Sequence, residues 1–287
     1  MDAAILQALE KIRCPFLDVV FGIFTALGEE MIIAAIIAVV YICFSKRAGE
    51  QALLTVMTAS CVTAGIKGAV RRLRPYAAGD VARVEIDNPL VSTMDLDADM
   101  SFPSGHSTAS GGFFTTLALR LRRPLAVLLC VLFVLMVMLS RLYFGVHYPT
   151  DVLTGLVIGA GCAFLWQLVY CKWYGARLYV YAAFALLTVP FLFIPRTATD
   201  SMFQVSAITL ATAAGLLIED RFIRFEDTAN WLHRLLRLLA AGICAGVPFL
   251  ILHFALPAGQ WADFVTYFAA LFAAVTLAPF LFKKLKF

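Results

Sequence analysis

The stretch PLAVLLCVLFVLMVMLSRLYFGVHYPTD, residues 124–151, begins as an uncharged apolar run and ends in a cluster of polar groups. The run from Pro124 to Ser140 approaches the roughly 20 apolar residues that an α-helix needs to cross a bilayer. The cluster that follows contains Arg141, His147 and Asp151. Because charged and imidazole groups are costly at membrane depth, such a cluster is by default a candidate functional site.

The composition of the whole chain agrees with a membrane location. Of its 287 residues, 62% are hydrophobic and 15% are charged, and the mean hydropathy is +0.87. A water-soluble domain of this length needs far more polar surface. The expected fold class is therefore all-α, a polytopic bundle of transmembrane helices.

We expect nine spanning helices, of which the last six are charge-free stretches and the first three are weaker. The second and third are rich in Gly, Ser and Thr, which allow helices to approach closely in lipid. The predicted spans are Met31–Ser45, Gln51–Lys67, Ser104–Leu119, Pro124–Ser140, Val152–Cys171, Leu178–Pro195, Ser201–Ile218, Leu238–Ala262 and Phe264–Phe282.

The N-terminal segment from Ile5 to Leu27 has a different pattern. It carries Glu10, Lys11, Arg13 and Asp18 on a helical apolar repeat. This pattern predicts an amphipathic helix in the membrane interface, with a tenth span as the alternative. No basic region followed by an apolar run and a small-residue cleavage site is visible, so we expect no cleavable signal.

The basic residues indicate the topology rather than a nucleic-acid partner. The short basic segments Ser45–Gly49, Arg120–Arg123, Lys172–Arg177 and Lys283–Lys286 fall on one side of the nine-span arrangement. By the positive-inside rule that side is cytoplasmic. We therefore expect a multi-pass plasma-membrane protein with a cytoplasmic C-terminus and with the 140–151 cluster on the extracytoplasmic side.

Arginines at positions 71, 72, 74 and 83 lie on the outer side, against that rule, and need another reason. The reason emerges when KGAVRRLRP (67–75) and PSGH (103–106) are considered with SRLYFGVHYPTD (140–151). Each segment lies where a predicted helix meets the outer interface. Cations, histidines and a carboxylate would thus converge at one membrane surface, which is the outline of a phosphate site.

The residue types suit that chemistry. Arginine presents a planar fork to two phosphate oxygens, whereas lysine supplies a compact charge. Ser104 and Gly105 follow a proline at a plausible helix start, where backbone N–H groups can point at an anion. Asp151 can accept from one imidazole nitrogen of His147 and leave the other free to attack phosphorus. His106 can then protonate the leaving oxygen.

Together the three segments resemble the signature of the type 2 phosphatidic acid phosphatase superfamily, over roughly Phe16 to Cys171. The resemblance implies metal-independent hydrolysis of a phosphomonoester or pyrophosphate, without a cofactor, through a phosphohistidine on His147. It further implies that Asp151 orients this nucleophile and that His106 is the general acid. The phosphoryl oxygens would be held by Lys67, Arg74, Ser104, Gly105 and Arg141.

The resemblance also suggests a division of the chain and a substrate class. We expect a catalytic helical core over residues 1–175 and additional helices of the same membrane domain over 176–287. An aspartate four residues after the nucleophile is usual in the lipid enzymes, so the favoured substrate is a membrane lipid phosphate or pyrophosphate. The class includes phosphatidate, phosphatidylglycerophosphate and polyprenyl pyrophosphate.

Two alternatives remain open. The nine-span plan also resembles glucose-6-phosphatase, which would make the substrate a soluble phosphate ester. A phospholipid transporter or binding protein would need the cations but not a nucleophile, an orienting carboxylate and a general acid together. The sequence does not indicate an oligomeric state.

The remaining polar residues receive structural interpretations. The seven cysteines lack metal-ligand spacing, and no HxxxH or CxxC pattern is present, so we expect no metal. We interpret Arg71, Arg72 and Arg83 as charges at the rim of the site. Glu29 and Glu30 could line a substrate entrance or anchor the chain in the interface. The calcium-like acidic run is Asp95, Asp97 and Asp99, which lacks the Gly and distal Glu of a calcium loop.

Overall fold

A computed structural model describes residues 2–82 and 100–287, so the predictions for Arg83 and for the acidic run at 95–99 lie outside the described residues. In the described ranges the chain is a bundle of eleven α-helices with short 3-10 and π turns. The helices are α1 Asp2–Glu10, α2 Pro15–Leu27, α3 Glu30–Val39, α4 Lys46–Val70, α5 Gly105–Leu121, α6 Pro124–Tyr143, α7 Pro149–Lys172, α8 Arg177–Thr188, α9 Asp200–Ile218, α10 Trp231–Ala255 and α11 Gln260–Leu285.

The structure confirms a polytopic helical bundle but changes the number of spans. Within the described residues, seven helices are long and apolar enough to cross a membrane. Helix α2 and the stretch Glu30–Phe44 form an eighth candidate if this pair, bent by 53°, is one broken span. The remaining predicted span corresponds to α5, which has 17 residues and is shorter than the other candidates. The count of nine therefore becomes seven or eight.

The N-terminal segment is two helices rather than one amphipathic helix. Helix α1 ends at Glu10, and Pro15 starts α2 at a position where its missing N–H costs nothing. The phenol of Tyr143 at the end of α6 donates to Asp18 at 2.5 Å and accepts from the backbone N–H of Cys14 at 3.1 Å. These bonds fix the start of α2 against the end of the helix that carries Arg141.

One predicted span boundary is wrong. The apolar window Leu238–Ala262 is divided in the structure, because α10 ends at Ala255 and α11 begins at Gln260. Pro257 cannot continue a hydrogen-bonded helix, and Gly259 has φ 155°, a backbone conformation that other residues rarely adopt. Hydropathy alone could not detect this break because the connecting residues are themselves mostly apolar.

Close packing of α5 against α7 brings two of the motifs together. A Cβ atom on Gly155 would collide with the backbone carbonyl of Ser104, and one on Gly159 would collide with that of Thr108. Only glycine allows the two backbones to approach so closely. At the end of this contact the Ser104 N–H donates to the carbonyl of Asp151 at 3.1 Å.

The C-terminal helices pack on the core through α9, which lies against α4. Helix α11 packs on both α9 and α10, and α10 exposes large apolar side chains such as Phe254, 81% exposed. Such exposure on a helix of this hydropathy is expected of a face that contacts lipid. A buried ion pair between Glu50 of α4 and Arg177 of α8 also joins the two parts of the chain.

Candidate active site

His147 lies in the short connection between α6 and α7 and is only 2% exposed. Gly145, with φ 67°, supports the tight turn just before it. The Nδ1 atom is 2.7 Å from the carbonyl oxygen of Ser101. Because a carbonyl can only accept, Nδ1 carries the proton in this arrangement and Nε2 keeps its lone pair. Nε2 lies 3.5 Å from Nη1 of Arg74.

Asp151 is close to His147 but is not its nearest partner. Its Oδ2 is 3.7 Å from Nδ1 and accepts a 2.8 Å hydrogen bond from the backbone N–H of Tyr148. This carboxylate thereby caps the start of α7, as expected for an acid in the first turn. The direct partner of the imidazole, the Ser101 carbonyl, is a backbone group that sequence patterns cannot reveal.

Arg72 has a larger role than the rim charge that the sequence suggested. Its Nη1 donates to Oδ1 of Asp151 at 2.9 Å and to Oγ1 of Thr150 at 2.7 Å. Its guanidinium also lies 3.8 Å from the centre of the Tyr148 ring, and its Nη2 is 3.6 Å from Asp2 of α1. Arg72 therefore fixes the carboxylate that lies beside the nucleophile candidate.

The side chain of the neighbouring Arg71 has different partners. It ends α4 in the left-handed conformation, with φ 52°. Its side chain donates to the carbonyl oxygens of Gly68 and Arg196. Two adjacent arginines of one motif thus serve different parts of the molecule.

His106 lies in the first turn of α5 and meets a carboxylate that the sequence did not assign to it. Its Nε2 is 2.9 Å from Oε2 of Glu29, which lies at the break between α2 and α3. The carboxylate of Glu30 lies so close to Gly105 that any Cβ atom at position 105 would collide with it. Both glutamates therefore lie at the start of α5.

The predicted phosphate-binding cations surround the two histidines. Arg74 and Arg141 are 4% and 5% exposed, and Lys67 is half-buried in the last turn of α4. Nη1 of Arg74 donates to the carbonyl of Val146 at 3.1 Å, and Nη1 of Arg141 donates to the hydroxyl of Thr25 at 2.9 Å. Thr25, which the sequence did not indicate, thus helps to position Arg141.

These cations act on the imidazole of His147. Burial, and next the positive charges of Arg74 and Arg141, lower the pKa of His147 well below its usual range. The charge of Lys67 acts in the same direction. The imidazole is therefore neutral near pH 7 and able to act as a nucleophile.

Ser104 caps the start of α5. It is fully buried, and its Oγ accepts from the backbone N–H of Ser107 at 3.4 Å and from the Ser107 hydroxyl at 3.1 Å. These bonds hold the N-terminus of α5, and with it Gly105 and His106, beside the cations. Among the described residues, no group of three or more His, Cys, Asp or Glu side chains is arranged to hold a metal ion.

Comparisons with known proteins place these features in a family. Residues 49–175 match the PAP2 superfamily model, and residues 203–287 match the model described as PAP2 superfamily phosphatase, transmembrane extension. The lipid A 1-phosphatase of Rhizobium etli is 41% identical over 73 residues, which are 25% of this chain and 30% of that protein.

Two further relatives match other shares of the chain. The decaprenylphosphoryl-5-phosphoribose phosphatase of Mycobacterium tuberculosis is 38% identical over 96 residues, 33% of this chain and 46% of that protein. Phosphatidylglycerophosphatase B of Bacillus subtilis is 27% identical over 177 residues, 57% of this chain and 80% of that protein. The chain spans less than half the length of the first two relatives.

The two matched models follow each other along the chain and correspond to two parts of the fold. The first model covers α5 and α7 completely, and its range contains every motif residue from Lys67 to Asp151. The second covers α10 and α11 and most of α9. The chain therefore belongs to the PAP2 superfamily.

Proposed function

We propose that this protein is an integral membrane phosphatase that removes a phosphate group from a lipid phosphate or pyrophosphate through a phosphohistidine intermediate. The observation that carries the proposal is the state of His147. Its Nδ1 proton is directed to the Ser101 carbonyl, and its Nε2 lone pair faces Arg74 in a buried cation cluster. This is the arrangement that a nucleophilic imidazole requires.

The first step forms a bond from Nε2 of His147 to phosphorus and breaks the bond from phosphorus to the leaving oxygen. His106 gives its proton to that oxygen, so the alcohol or phosphate leaves neutralised. Arg74, Arg141 and Lys67 stabilise the negative charge on the non-bridging oxygens. In the second step water attacks phosphorus, the nitrogen–phosphorus bond breaks, and His106 accepts the proton of the water.

Asp151 acts electrostatically in this scheme. Once Nε2 is bound to phosphorus and Nδ1 keeps its proton, the ring carries a positive charge. The carboxylate at 3.7 Å favours that charge, while the Ser101 carbonyl holds the ring in place. Arg72 keeps the carboxylate in position through its 2.9 Å bond to Oδ1.

Glu29 is the positioning residue of His106. A carboxylate at 2.9 Å from Nε2 favours the imidazolium, which is the form that can donate a proton. Burial, and next the guanidinium groups of Arg141 and Arg74, oppose that form and lower the pKa of His106 to about 4. Glu29 raises this pKa, so it is the group of the site that favours the proton-donating form of His106.

The lipid class rests on the membrane bundle and on the relatives. The named functions of the three relatives are phosphatases of lipid A, a decaprenyl-linked phosphoribose and phosphatidylglycerophosphate. We place the site on the extracytoplasmic side and the C-terminus in the cytoplasm, because the basic segments 45–49, 120–123, 172–177 and 283–286 favour that orientation.

Phosphate release by the detergent-purified protein tests the proposal. The panel contains phosphatidate, phosphatidylglycerophosphate, polyprenyl pyrophosphate and glucose 6-phosphate, each with EDTA present. We expect EDTA-resistant release from a lipid, abolished in His147→Ala, and acid-labile, base-stable phosphate on the wild-type protein in a rapid quench. His233→Ala, at a histidine in α10 outside the site, is the matched control and should retain full activity.

The other results have distinct meanings. Release from glucose 6-phosphate alone would replace the lipid by a soluble ester. Full activity in His147→Ala would overturn the nucleophile assignment. No release from any substrate, with lipid movement across vesicle membranes, would favour a transporter instead.

A further inference from the structure

A cavity of about 380 Å³ lies among α4, α5 and α7, at the helix ends opposite the candidate active site. Helix α5 carries His106 in its first turn and Arg120 in its last, which at 1.5 Å per residue separates them by roughly 20 Å. Helix α4 likewise has Lys67 near one end and Arg47 at the other. The cavity is therefore separate from the site that holds the histidines.

Three arginines give this cavity its charge. Arg47, Arg120 and Arg122 line it together with the amides of Gln51 and Gln167. Among the described residues that line it, none is Asp or Glu. Arg47 and Arg120 lie close enough to act on each other as like charges. Holding like charges together is unfavourable unless an anion joins them, so the cavity is suited to an anionic ligand.

Two of the three arginines are held in place by neighbouring side chains. Nη1 of Arg120 donates to Oε1 of Gln51 at 2.9 Å, and Nε2 of Gln51 donates to Oε1 of Gln167 at 2.9 Å. Gln51 is 1% exposed, so this relay is anchored in the bundle. The guanidinium of Arg47 lies 4.5 Å from the centre of the Tyr174 ring. A site whose cations are already ordered loses little entropy when an anion binds.

The surroundings of the cavity identify the source of the anion. Leu121, Leu168 and Trp173, which follow or neighbour the lining residues, are 47%, 40% and 55% exposed. Exposed apolar side chains at the ends of membrane helices contact lipid, and tryptophan favours the level of the headgroups. A phosphate group at this level belongs to a lipid of the leaflet opposite the active site.

We propose that this cavity binds the phosphate of an anionic phospholipid headgroup and holds that lipid against the ends of α4, α5 and α7. Arginine forks meet two phosphate oxygens at once, and basic pockets between membrane helices suit phosphate-bearing headgroups. The bound lipid neutralises the repulsion between Arg47 and Arg120. It thereby stabilises the three helices that carry Lys67, His106 and Asp151 at their other ends.

The test must separate a built site from the general attraction of basic loops to an anionic surface. We would count lipids bound to the purified protein by native mass spectrometry, with phosphatidylglycerol and phosphatidylcholine as probes. Phosphatidylglycerol is a phosphodiester and offers no terminal phosphate to the active site. The variant is Arg47→Gln with Arg120→Gln, and the matched control is Arg123→Gln, an arginine that is exposed like the other two but does not line the cavity.

We expect wild type and Arg123→Gln to retain phosphatidylglycerol over phosphatidylcholine. Since each arginine near an anionic lipid contributes roughly a fivefold change in binding, the double variant should bind phosphatidylglycerol up to about 25-fold more weakly. Its thermal unfolding midpoint without lipid should stay near that of wild type. If loss of the Gln51 contact unfolds it, Arg47→Gln alone leaves that relay intact and should show about a fivefold loss.

Two results would overturn the proposal. Equal retention of phosphatidylglycerol by wild type and the double variant would show that the cavity does not select the lipid. Binding of inorganic phosphate to wild type, with no preference between the two lipids, would assign the cavity to a free anion. Neither result depends on phosphatase activity, so failure of the lipid-binding proposal is distinguishable from failure of the proposed reaction.

Discussion

Two buried groups of charges lie at opposite ends of the bundle and differ in their chemistry. In the ion-pair cluster, which consists of Lys46, Glu50, Arg177, Glu219 and Asp220, carboxylates meet Lys and Arg directly. Nε of Arg177 is 2.5 Å from Glu50, and Nζ of Lys46 is 2.6 Å from Glu219. In the candidate site Glu29 lies beside the imidazole of His106, and Asp151 lies beside the imidazole of His147 while it also accepts from Arg72.

The ion-pair cluster therefore suits a structural role, whereas the charges of the candidate site suit a chemical one. Lysine and arginine keep their charge near neutral pH, so the ion-pair cluster can stabilise the fold without taking part in a proton transfer. An imidazole can gain or lose a proton near that pH, and its partners decide which form is present. Substitutions at the two ends should therefore affect different measurements.

Among substitutions that keep the nucleophile, the largest effect is expected from His106→Ala. Loss of a general acid should lower kcat for a lipid phosphate by about two to four powers of ten, with little change in the thermal unfolding midpoint. The rate of phosphoenzyme formation, measured by rapid quench, should fall much less with p-nitrophenyl phosphate, because its leaving group needs no proton. Equal losses of this first-step rate with both substrates would contradict the acid role and leave His106 as a binding residue.

Glu50→Gln should strongly lower the free energy of unfolding. Glu50 is 1% and Arg177 6% exposed, so the substitution leaves a buried guanidinium with only the half-exposed carboxylate of Asp220, at a cost of up to about 3–5 kcal/mol. Chemical unfolding in detergent measures this change. Asp220→Asn is the control, because its carboxylate is 48% exposed and its bond to Arg177 should contribute less than about 1 kcal/mol.

The fold and part of the site could be predicted from the sequence. Hydropathy predicts most of the helices, and the motif spacing places His147, His106 and the cations at helix ends that meet. The sequence could not predict that the direct partner of His147 is the Ser101 carbonyl, since every residue has a backbone carbonyl. The contact of Glu29 with His106 depends on the bend between α2 and α3, which no local pattern reveals.

The different contacts of Arg71 and Arg72 likewise depend on the backbone conformation. The left-handed conformation of Arg71 turns the chain at the end of α4, so the two side chains leave in different directions. One donates to Arg196 and the other to Asp151. Sequence spacing shows that both lie near the site, but the backbone conformation decides which one reaches it.

Glu29→Gln should give an intermediate effect, roughly a tenfold loss of kcat, which is the size expected when the group that positions a catalytic residue is removed. The imidazolium of His106 loses its carboxylate, so it gives up its proton at lower pH. The basic limb of the kcat profile should therefore move to lower pH. Glu29→Asp should restore part of the rate and of the limb position. A lower rate with an unchanged profile would reduce Glu29 to a packing role.

The smallest effect concerns the acidic limb of kcat/KM, which reports His147 in the free enzyme. Because the pKa of His147 lies well below its usual range, protonation removes the nucleophile only at acidic pH, and activity should persist below pH 6. Lys67→Met removes one of the charges that lower this pKa, so the limb should move upward by less than about one unit. Arg71→Gln is the control, because it removes a charge from the same helix end. The Arg71 side chain faces Gly68 and Arg196, so the acidic limb of kcat/KM should stay in place. An equal shift in both variants would mean that the general charge of this surface, and not the cations of the site, sets the state of the nucleophile.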